Sequence, residues 1–396
     1  MIINRNFWLG LLRESLESRS IAWLAGVRRV GKTVLCSSIP DSEYFDCELP
    51  RVRKYFEDEE AFFRSLKKEK IIILDEIHRL DNPSQVLKIA ADHFPGLKII
   101  ATGSSSLSTS KKFRDTLTGR KHNIRLTPLN TYDIKDFNIN DTGMRLLRGG
   151  LPPFILSSAF PEKEFQEWMD SFWAKDVQEL FSVGKKASFM KFVELLFLQS
   201  GGMFEATKFS RPCEVSRVTI QNYLNILEQT FIASAIKPFS TYKPNEITYA
   251  PKVYAFDTGF VCYYRGWDKL RNEDHGLLWE HFVLNELMSL LQDFRINYWR
   301  DKQRHEIDFI LQFHGKPPIT IECRWKSEQL NLKSLIRFRE LYPEGLNAVV
   351  AEDITRPMEK EKNGLKIHYL GLKDLAGWLK EKGLMRNITC SKGAHH

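Results

Sequence analysis

Apolar residues recur along this chain in two rhythms. In the first third they form short runs: Ile21-Ala22-Trp23-Leu24-Ala25 and Ile71-Ile72-Ile73-Leu74 are unbroken, and Leu97-Lys98-Ile99-Ile100-Ala101 is interrupted only by Lys98. Such runs suit strands buried on both faces of a parallel sheet. Glu43-Tyr44-Phe45-Asp46 reads as one more strand, and the charged stretch that follows, through Lys70, as helix. Between residues 161 and 200 the spacing turns helical, with Phe165, Trp168, Phe172 and Trp173 forming a core stripe. From Met203 the rhythm changes again. Phe204 to Ser210 predicts a short helix, Pro212-Cys213-Glu214-Val215 a turn, and Ser216 the N-cap of a helix through Glu228. That helix is expected to turn Val218, Tyr223, Leu224 and Leu227 inward. Two strands, Phe231–Ile236 and Lys252–Phe256, follow around a polar loop. Beyond them the pattern predicts an amphipathic helix over Gly276–Leu287. Strands are expected from Tyr298, over His305–Leu311 and over Ile319–Lys326.

The expected class is therefore α/β, in several units. Strands and helices to residue 148 form a parallel-sheet domain, ended by the break Gly149-Gly150-Leu151-Pro152-Pro153. Residues 149–200 read as a helical lid or linker, and 201–265 as a helix–turn–helix with a hairpin, the winged-helix layout. Residues 266–380 read as a second α/β domain and 381–396 as a tail. The tail's end, Gly393-Ala394-His395-His396, has the look of a tag remnant and is left out of the fold reading.

The sharpest chemistry follows the first apolar run. Gly26-Val27-Arg28-Arg29-Val30-Gly31-Lys32-Thr33 fits G-x-x-x-x-G-K-[ST] and continues into Val34-Leu35-Cys36 as a helix start. Its glycines let the backbone curl so that N–H groups point at phosphate oxygens, and the helix start adds partial positive charge. Lys32 is expected at the β- and γ-phosphates and Thr33 on Mg²⁺, making ATP and Mg²⁺ the expected cofactors. The run Ile71–Leu74 ends in Asp75-Glu76, at the sheet edge where α/β folds bind ligands. Asp75 is the candidate Mg²⁺ holder, and Glu76 the candidate group that orients attacking water. The next strand ends in Thr102-Gly103-Ser104-Ser105-Ser106, either a closing turn or a polar sensor of phosphate built from Thr102 and Ser104. A basic cluster follows: Lys111, Lys112, Arg114, Arg120 and Lys121. Arg120 is the candidate arginine for phosphate, in its own chain or a neighbouring subunit, with a solvated basic loop as the alternative. Of Arg28 and Arg29, one is expected near nucleotide and the other in solvent.

In the order Gly-Val-Arg-Arg-Val-Gly-Lys-Thr, Leu-Asp-Glu-Ile-His, Thr-Gly-Ser-Ser, Leu-Thr-Gly-Arg and Ile124-Arg125-Leu126-Thr127-Pro128-Leu129, the sequence resembles a family of prokaryotic AAA-superfamily P-loop ATPases. Members carry a C-terminal domain of unknown function related to PD-(D/E)XK nucleases. The resemblance runs from about residue 1 to about residue 350. It implies an AAA-like P-loop NTPase sheet, ATP hydrolysis, a winged helix and a nuclease-like α/β end.

Two downstream constellations bear on partners. In the helix after Ser216, Arg217, Thr219, Gln221 and Asn222 would face outward, and such residues can read base edges. Winged helices also bind proteins, and Glu214, Glu228 and Glu246 dilute the basic character. Near the C-terminus, Asp308 on one strand and Glu322-Cys323-Arg324 on the next resemble the PD-(D/E)XK spacing, with Glu280 a third acid. These three would bind Mg²⁺ through hard oxygens. Arg324 departs from the pattern, which asks for lysine; it cannot act as a base. Lys326, two residues on, is the candidate substitute. Active cleavage and a binding-only platform both stay open.

Composition narrows this only slightly. A net charge of +8 and a pI near 9.0 are compatible with DNA or RNA as a partner. Self-association or a protein partner remains the alternative. No run of about 18 apolar residues occurs, so no membrane partner is expected. Six dispersed cysteines without C-x-x-C spacing and no evident secretion signal predict a cytoplasmic protein with reduced thiols.

Overall fold

The structure, a computed structural model, describes residues 3–103, 117, 119–181, 183–240, 250–292 and 294–385. The expectations placed on Ser104, Ser105, Ser106, Lys111, Lys112, Arg114, Glu246, Cys390 and Gly393–His396 lie outside the described residues.

Strands β1 (Ile21–Ala25), β2 (Ser42–Asp46), β3 (Ile71–Asp75), β4 (Lys98–Gly103) and β5 (Lys121–Arg125) form a five-stranded sheet in the order β2-β3-β4-β1-β5. All neighbours run parallel. The unbroken apolar runs are explained by burial from two sides. Ala22, Leu24, Ile73 and Ile100 join one hydrophobic cluster, while Ile21, Trp23, Ile72, Leu74 and Ile99 join another. Alternate residues of a strand point to opposite faces, so each run feeds both layers. Register also brings the strand ends together. Leu24 lies beside Thr102, Leu74 beside Ala101 and Asp46 beside Asp75.

The aromatic stripe of the middle segment is core, as its spacing predicts. Phe165, Trp168, Phe172 and Trp173 are all buried, and Trp168 packs edge-on to Phe260 with ring centres 4.7 Å apart. Helix Arg217–Gln229 starts at Ser216, whose Oγ accepts the Thr219 N–H at 3.1 Å. Its inward face is Ile220, Tyr223, Leu224 and Leu227. Val218 departs from the expectation: it is 68% exposed. Val218 lies on the opposite side of the helix from Ile220, Leu224 and Leu227, on the face it shares with exposed Gln221 and Asn222 at i+3 and i+4.

A second sheet runs β13-β14-β12-β11-β10-β9-β7-β8-β6. Its members are β6 (Gly202–Met203), β7 (Ala233–Pro238), β8 (Lys252–Ala255), β9 (Ile296–Arg300), β10 (Glu306–Leu311), β11 (Ile319–Arg324), β12 (Asn347–Ala351), β13 (Met358–Lys362) and β14 (Leu365–Leu370). The expected boundary near residue 265 is crossed by this sheet, since Lys237 and Pro238 of β7 pair in parallel with Asn297 and Tyr298 of β9. The helix expected over 276–287 spans Asp274–Leu291. Strand β11 ends at Arg324, two residues short of the expectation.

Buried polar contacts join the two sheets. Arg5 Nη1 donates to Val30 O at 2.8 Å and Arg5 Nε to Asp133 Oδ1 at 2.9 Å. Asn130, which caps the helix Thr131–Asp136, donates through Nδ2 to Ser289 Oγ at 3.2 Å. Beside it, Glu286 accepts from Thr131 N at 2.9 Å and from Thr131 Oγ1 at 2.6 Å. Complete burial pushes the Glu286 pKa up to about 7 from 4.5, against the pull of the two Thr131 donors. A raised folded-state value means that the native chain holds this proton longer than the unfolded chain does. Stability from this group is therefore full below pH 4.5 and lost as pH rises towards 7. Glu286→Gln keeps a donor and an acceptor for Thr131 and removes the titration. Between pH 5 and pH 8 the variant is expected to gain, relative to wild type, on the order of 3 kcal/mol in urea unfolding. A pH-independent difference would contradict this.

Candidate functional site

The P-loop follows β1 at the C-terminal edge of the first sheet. Gly26 is required by space: a Cβ there would stand 2.5 Å from the backbone oxygen of Leu126. Gly31 is required by conformation, with φ at +102°. Val27 and Val30 are buried and anchor the loop from below. Lys32 opens the helix Lys32–Ser37, and its Nζ donates to Gly26 O at 2.8 Å and Val27 O at 3.3 Å. Thr33 and Val34 are exposed at the helix start. The two P-loop arginines divide as expected in one respect, with Arg29 exposed. Arg28 is held by the middle segment: its Nε donates to Asp176 Oδ2 at 3.0 Å, and its carbonyl accepts Trp168 Nε1–H at 3.0 Å.

Asp75, at the end of β3, is the meeting point of this site. It accepts from Thr33 Oγ1 at 2.8 Å, from Thr102 Oγ1 and from the Tyr44 hydroxyl. Thr102 Oγ1 in turn accepts the Glu76 N–H at 2.9 Å, so the threonine stands between the two acids. Glu76 itself adopts φ +50°, uncommon for a residue with a side chain. Such strain gathers at sites where a side chain must be aimed. Burial raises the Glu76 pKa, with Lys32 pulling it back and Asp75 pushing it up. His78 Nδ1 lies 3.2 Å from Glu76 Oε2. Burial, then Arg79, lowers the His78 pKa to about 4, so at neutral pH its imidazole is uncharged. Tyr44 escaped the sequence reading. The available signal was its place on the strand that ends, at Asp46, beside Asp75.

An exposed hydroxyl and a carboxylate, Thr33 and Asp75, meet beside the phosphate-type loop. Both are hard oxygen donors and fit Mg²⁺. Arg120 does not join them. It precedes Lys121, which pairs with Ile21 at the opposite end of β1, and it grips Asp92 at 2.6 and 3.1 Å. An in-chain phosphate contact by Arg120 is thereby corrected: the sheet separates it from the P-loop edge.

The second constellation lies where β10, β11 and the helix Asp274–Leu291 meet. A register shift in β10 between Ile307 and Ile310 brackets Asp308, which stands one step beyond the Phe309–Ile321 pair and so comes beside Glu322. Arg324 bridges them, with Nη1 2.7 Å from Asp308 Oδ2 and Nη2 on Glu322 Oε2. Burial, then Glu280, raises the Asp308 pKa; burial, then Asp308, pushes Glu322 well above the carboxylate range, and Arg324 opposes both. Glu322 Oε1 is buried without a hydrogen-bond partner. Glu280 is claimed by Lys252 Nζ at 2.8 Å, and Lys252 also reaches Glu306 at 2.9 Å. Lys326 is exposed beyond the end of β11. The lysine of this cluster is Lys252, from β8, which no local pattern singles out. Among the described residues no group of three or more acids, histidines or cysteines is arranged to hold a metal ion. With a guanidinium between the two carboxylates, Glu280, Asp308 and Glu322 as placed do not fit Mg²⁺.

Comparison with known proteins bears on the first site. A family model described as an AAA domain matches residues 18–135. The N-terminal domain is an AAA-type P-loop domain. Two domains of unknown function match residues 139–271 and 275–370. An uncharacterized protein of Mycobacterium tuberculosis is 27% identical over 330 residues, covering 80% of this chain and 73% of that protein. One from Methanocaldococcus jannaschii is 25% identical over 358 residues, covering 81% and 77%. Among solved structures, the Holliday junction branch migration motor RuvB of Thermotoga maritima is 15% identical, covering 62% of this chain and 94% of its own, with a TM-score of 0.29. A signal transduction ATPase with numerous domains from Pyrococcus horikoshii is 13% identical, covering 71% and 44%, with a TM-score of 0.26. Similarity at that level says nothing of activity.

The AAA domain and the C-terminal ion cluster thus hold their acids by different means, and the second can be tested by stability. Arg324→Ala leaves Asp308 and Glu322 buried with their main cation gone, which is expected to cost about 3 kcal/mol in urea unfolding. Combining it with Glu322→Gln should restore part of that loss. A neutral Arg324→Ala would show that the bridge is not maintained in solution.

Proposed function

We propose that this chain binds and hydrolyses ATP with Mg²⁺ at the AAA domain, and that nucleotide state switches C-terminal modules that engage nucleic acid. The observation that carries it is the convergence of Lys32, Thr33, Asp75, Glu76 and Thr102 at one sheet edge. In this reading Gly26, Val27, Arg28, Arg29, Val30 and Gly31 wrap the phosphates, Val34 borders them, and Lys32 neutralises the β- and γ-phosphates. Thr33 and Asp75 would hold Mg²⁺, which spreads phosphate charge when bound. Glu76 aims a water at the γ-phosphate, and Thr102 fixes the backbone from which Glu76 projects. Arg120 is assigned to a neighbouring subunit's nucleotide, which requires Asp92 to release it.

Support for a nucleic-acid partner comes from the basic balance and from Arg217, Gln221 and Asn222, exposed on one helix; Thr219, tied to Ser216, is only partly exposed. That helix precedes the β7–β8 hairpin, an order consistent with a winged helix. Exposed Val218 on the same helix favours a second reading, in which the partner is a protein. For the nuclease-like end, Arg324 between the carboxylates favours binding over metal-dependent cleavage.

Lys32→Ala is expected to abolish binding of a fluorescent ATP analogue. Glu76→Gln is expected to bind ATP and lower turnover by about 100-fold. Unchanged turnover in Glu76→Gln would remove its role. Incubating wild type and Asp308→Ala with DNA and RNA, Mg²⁺ or Mn²⁺, and with or without ATP is expected to yield no cleavage by either. Cleavage by wild type that Asp308→Ala loses would establish the nuclease reading instead.

A further inference from the structure

Arg28 is an unusual side chain for a phosphate loop to commit elsewhere. Its partner, Asp176, is 2% exposed and comes from the middle segment, 148 residues away in sequence. Asp176 sits in the π-helical turn Trp173–Val177, which links the helices Glu162–Phe172 and Gln178–Phe181. Turns of this kind interrupt regular helix hydrogen bonding and recur at functional sites. Only Oδ2 of Asp176 is engaged; Oδ1 is buried with no hydrogen-bond partner. The Asp176 charge also bears on Glu76 and His78, so it sits over the reactive edge of the sheet.

Two more contacts make the attachment a grip on both halves of the site. Trp168 Nε1 donates to Arg28 O at 3.0 Å, one helix earlier on the same segment. Glu179, three residues after Asp176, binds Arg79 at 2.8 Å, and Arg79 lies in the short turn that begins just after Glu76. One continuous stretch, residues 162–181, therefore holds the P-loop through Arg28 and the Asp75-Glu76 edge through Arg79.

We infer that residues 162–181 are a clasp that reads nucleotide occupancy, with Asp176 and the phosphates of a bound nucleoside triphosphate competing for Arg28. A triphosphate offers the guanidinium several oxygens and more negative charge than one carboxylate does. Once Arg28 turns to phosphate, Asp176 is left buried, uncompensated and facing a polyanion. A buried charge in that position is strongly disfavoured, so the π turn must move outward. The movement reaches the rest of the middle segment through the aromatic core, because Trp168 is stacked on Phe256 and packed against Phe260. Nucleotide occupancy would thus be converted into a displacement of the helices between the AAA domain and the second sheet.

This inference rests on nucleotide binding at the P-loop, and one set of measurements separates the two. The full-length chain is followed by amide hydrogen exchange across residues 162–181, with and without a non-hydrolysable ATP analogue and Mg²⁺, and by affinity for that analogue. In wild type the analogue is expected to raise exchange across 162–181, and in Lys32→Ala to leave it unchanged. Asp176→Asn should bind the analogue about tenfold more tightly and show raised exchange without it. Glu179→Gln, a milder change on a partly exposed pair, should shift both readouts in the same direction by a smaller factor. Wild-type affinity in both variants, or exchange in wild type that ignores bound analogue, overturns the clasp while leaving the nucleotide site intact. Absence of any binding by wild type overturns the nucleotide reading and the clasp with it.

Discussion

The buried pair of Arg5 and Asp133 is the contact on which the arrangement of this chain depends. Arg5 uses every arm of its guanidinium: Nε and Nη2 on Asp133, Nη1 on Val30 O, and Nη2 again on Thr127 O at 3.1 Å. Asp133 is fully buried and also accepts Trp8 Nε1–H at 3.0 Å. A carboxylate in such a place is tolerated only when its oxygens are satisfied and its charge is met. One residue near the N-terminus thereby fixes the far side of the P-loop, the strand exit after β5 and the helix that Asn130 caps. That same cap carries the link to Ser289, while Thr131 holds Glu286. The phosphate-type loop and the long helix of the C-terminal part are thus referred to a common polar core, and neither can shift far without the other registering it.

The two acid clusters illustrate how the partners of a carboxylate decide what it can do. Asp75 is surrounded by hydroxyls, from Thr33, Thr102 and Tyr44. Hydroxyls are neutral and can rotate, so they leave the charge of Asp75 available to a cation. Asp308 and Glu322 share one permanent cation, Arg324, while Lys252 takes Glu280 and Glu306. There the charge is already spent inside the fold. Similar residue types at similar strand ends therefore produce an open electrostatic site in one sheet and a closed one in the other.

Much of the first site was legible because its members are set by local rules. Gly26 and Gly31 are fixed by close approach and by φ, Lys32 and Thr33 by the helix start, and Asp75 by the end of a doubly buried strand. Thr102 followed from the next strand ending at the same edge. Tyr44 and Asp176 were not legible, because their roles come from register across the sheet and from a helix packed over it. The in-chain role for Arg120 failed for a related reason. A basic residue near the motifs in sequence need not share their sheet edge, and the parallel register sends it to the other end. Val218 was misread by assigning it to the wrong face of its helix, and Lys326 by extending a strand period past the strand's end.

By itself, then, the sequence determined the parallel AAA sheet, the loop that curls for phosphate and the acids at its edge. Each of these is dictated within a few residues by backbone sterics, helix capping and the alternation of a buried strand. Tertiary structure alone decided which cation meets which acid: Lys252 for Glu280, Arg324 for both carboxylates of the second cluster, Asp176 for Arg28. It also decided that β7 and β9 join two expected units into one sheet. Those choices depend on desolvation and on charge balance across segments far apart in the chain, and no local pattern carries that information.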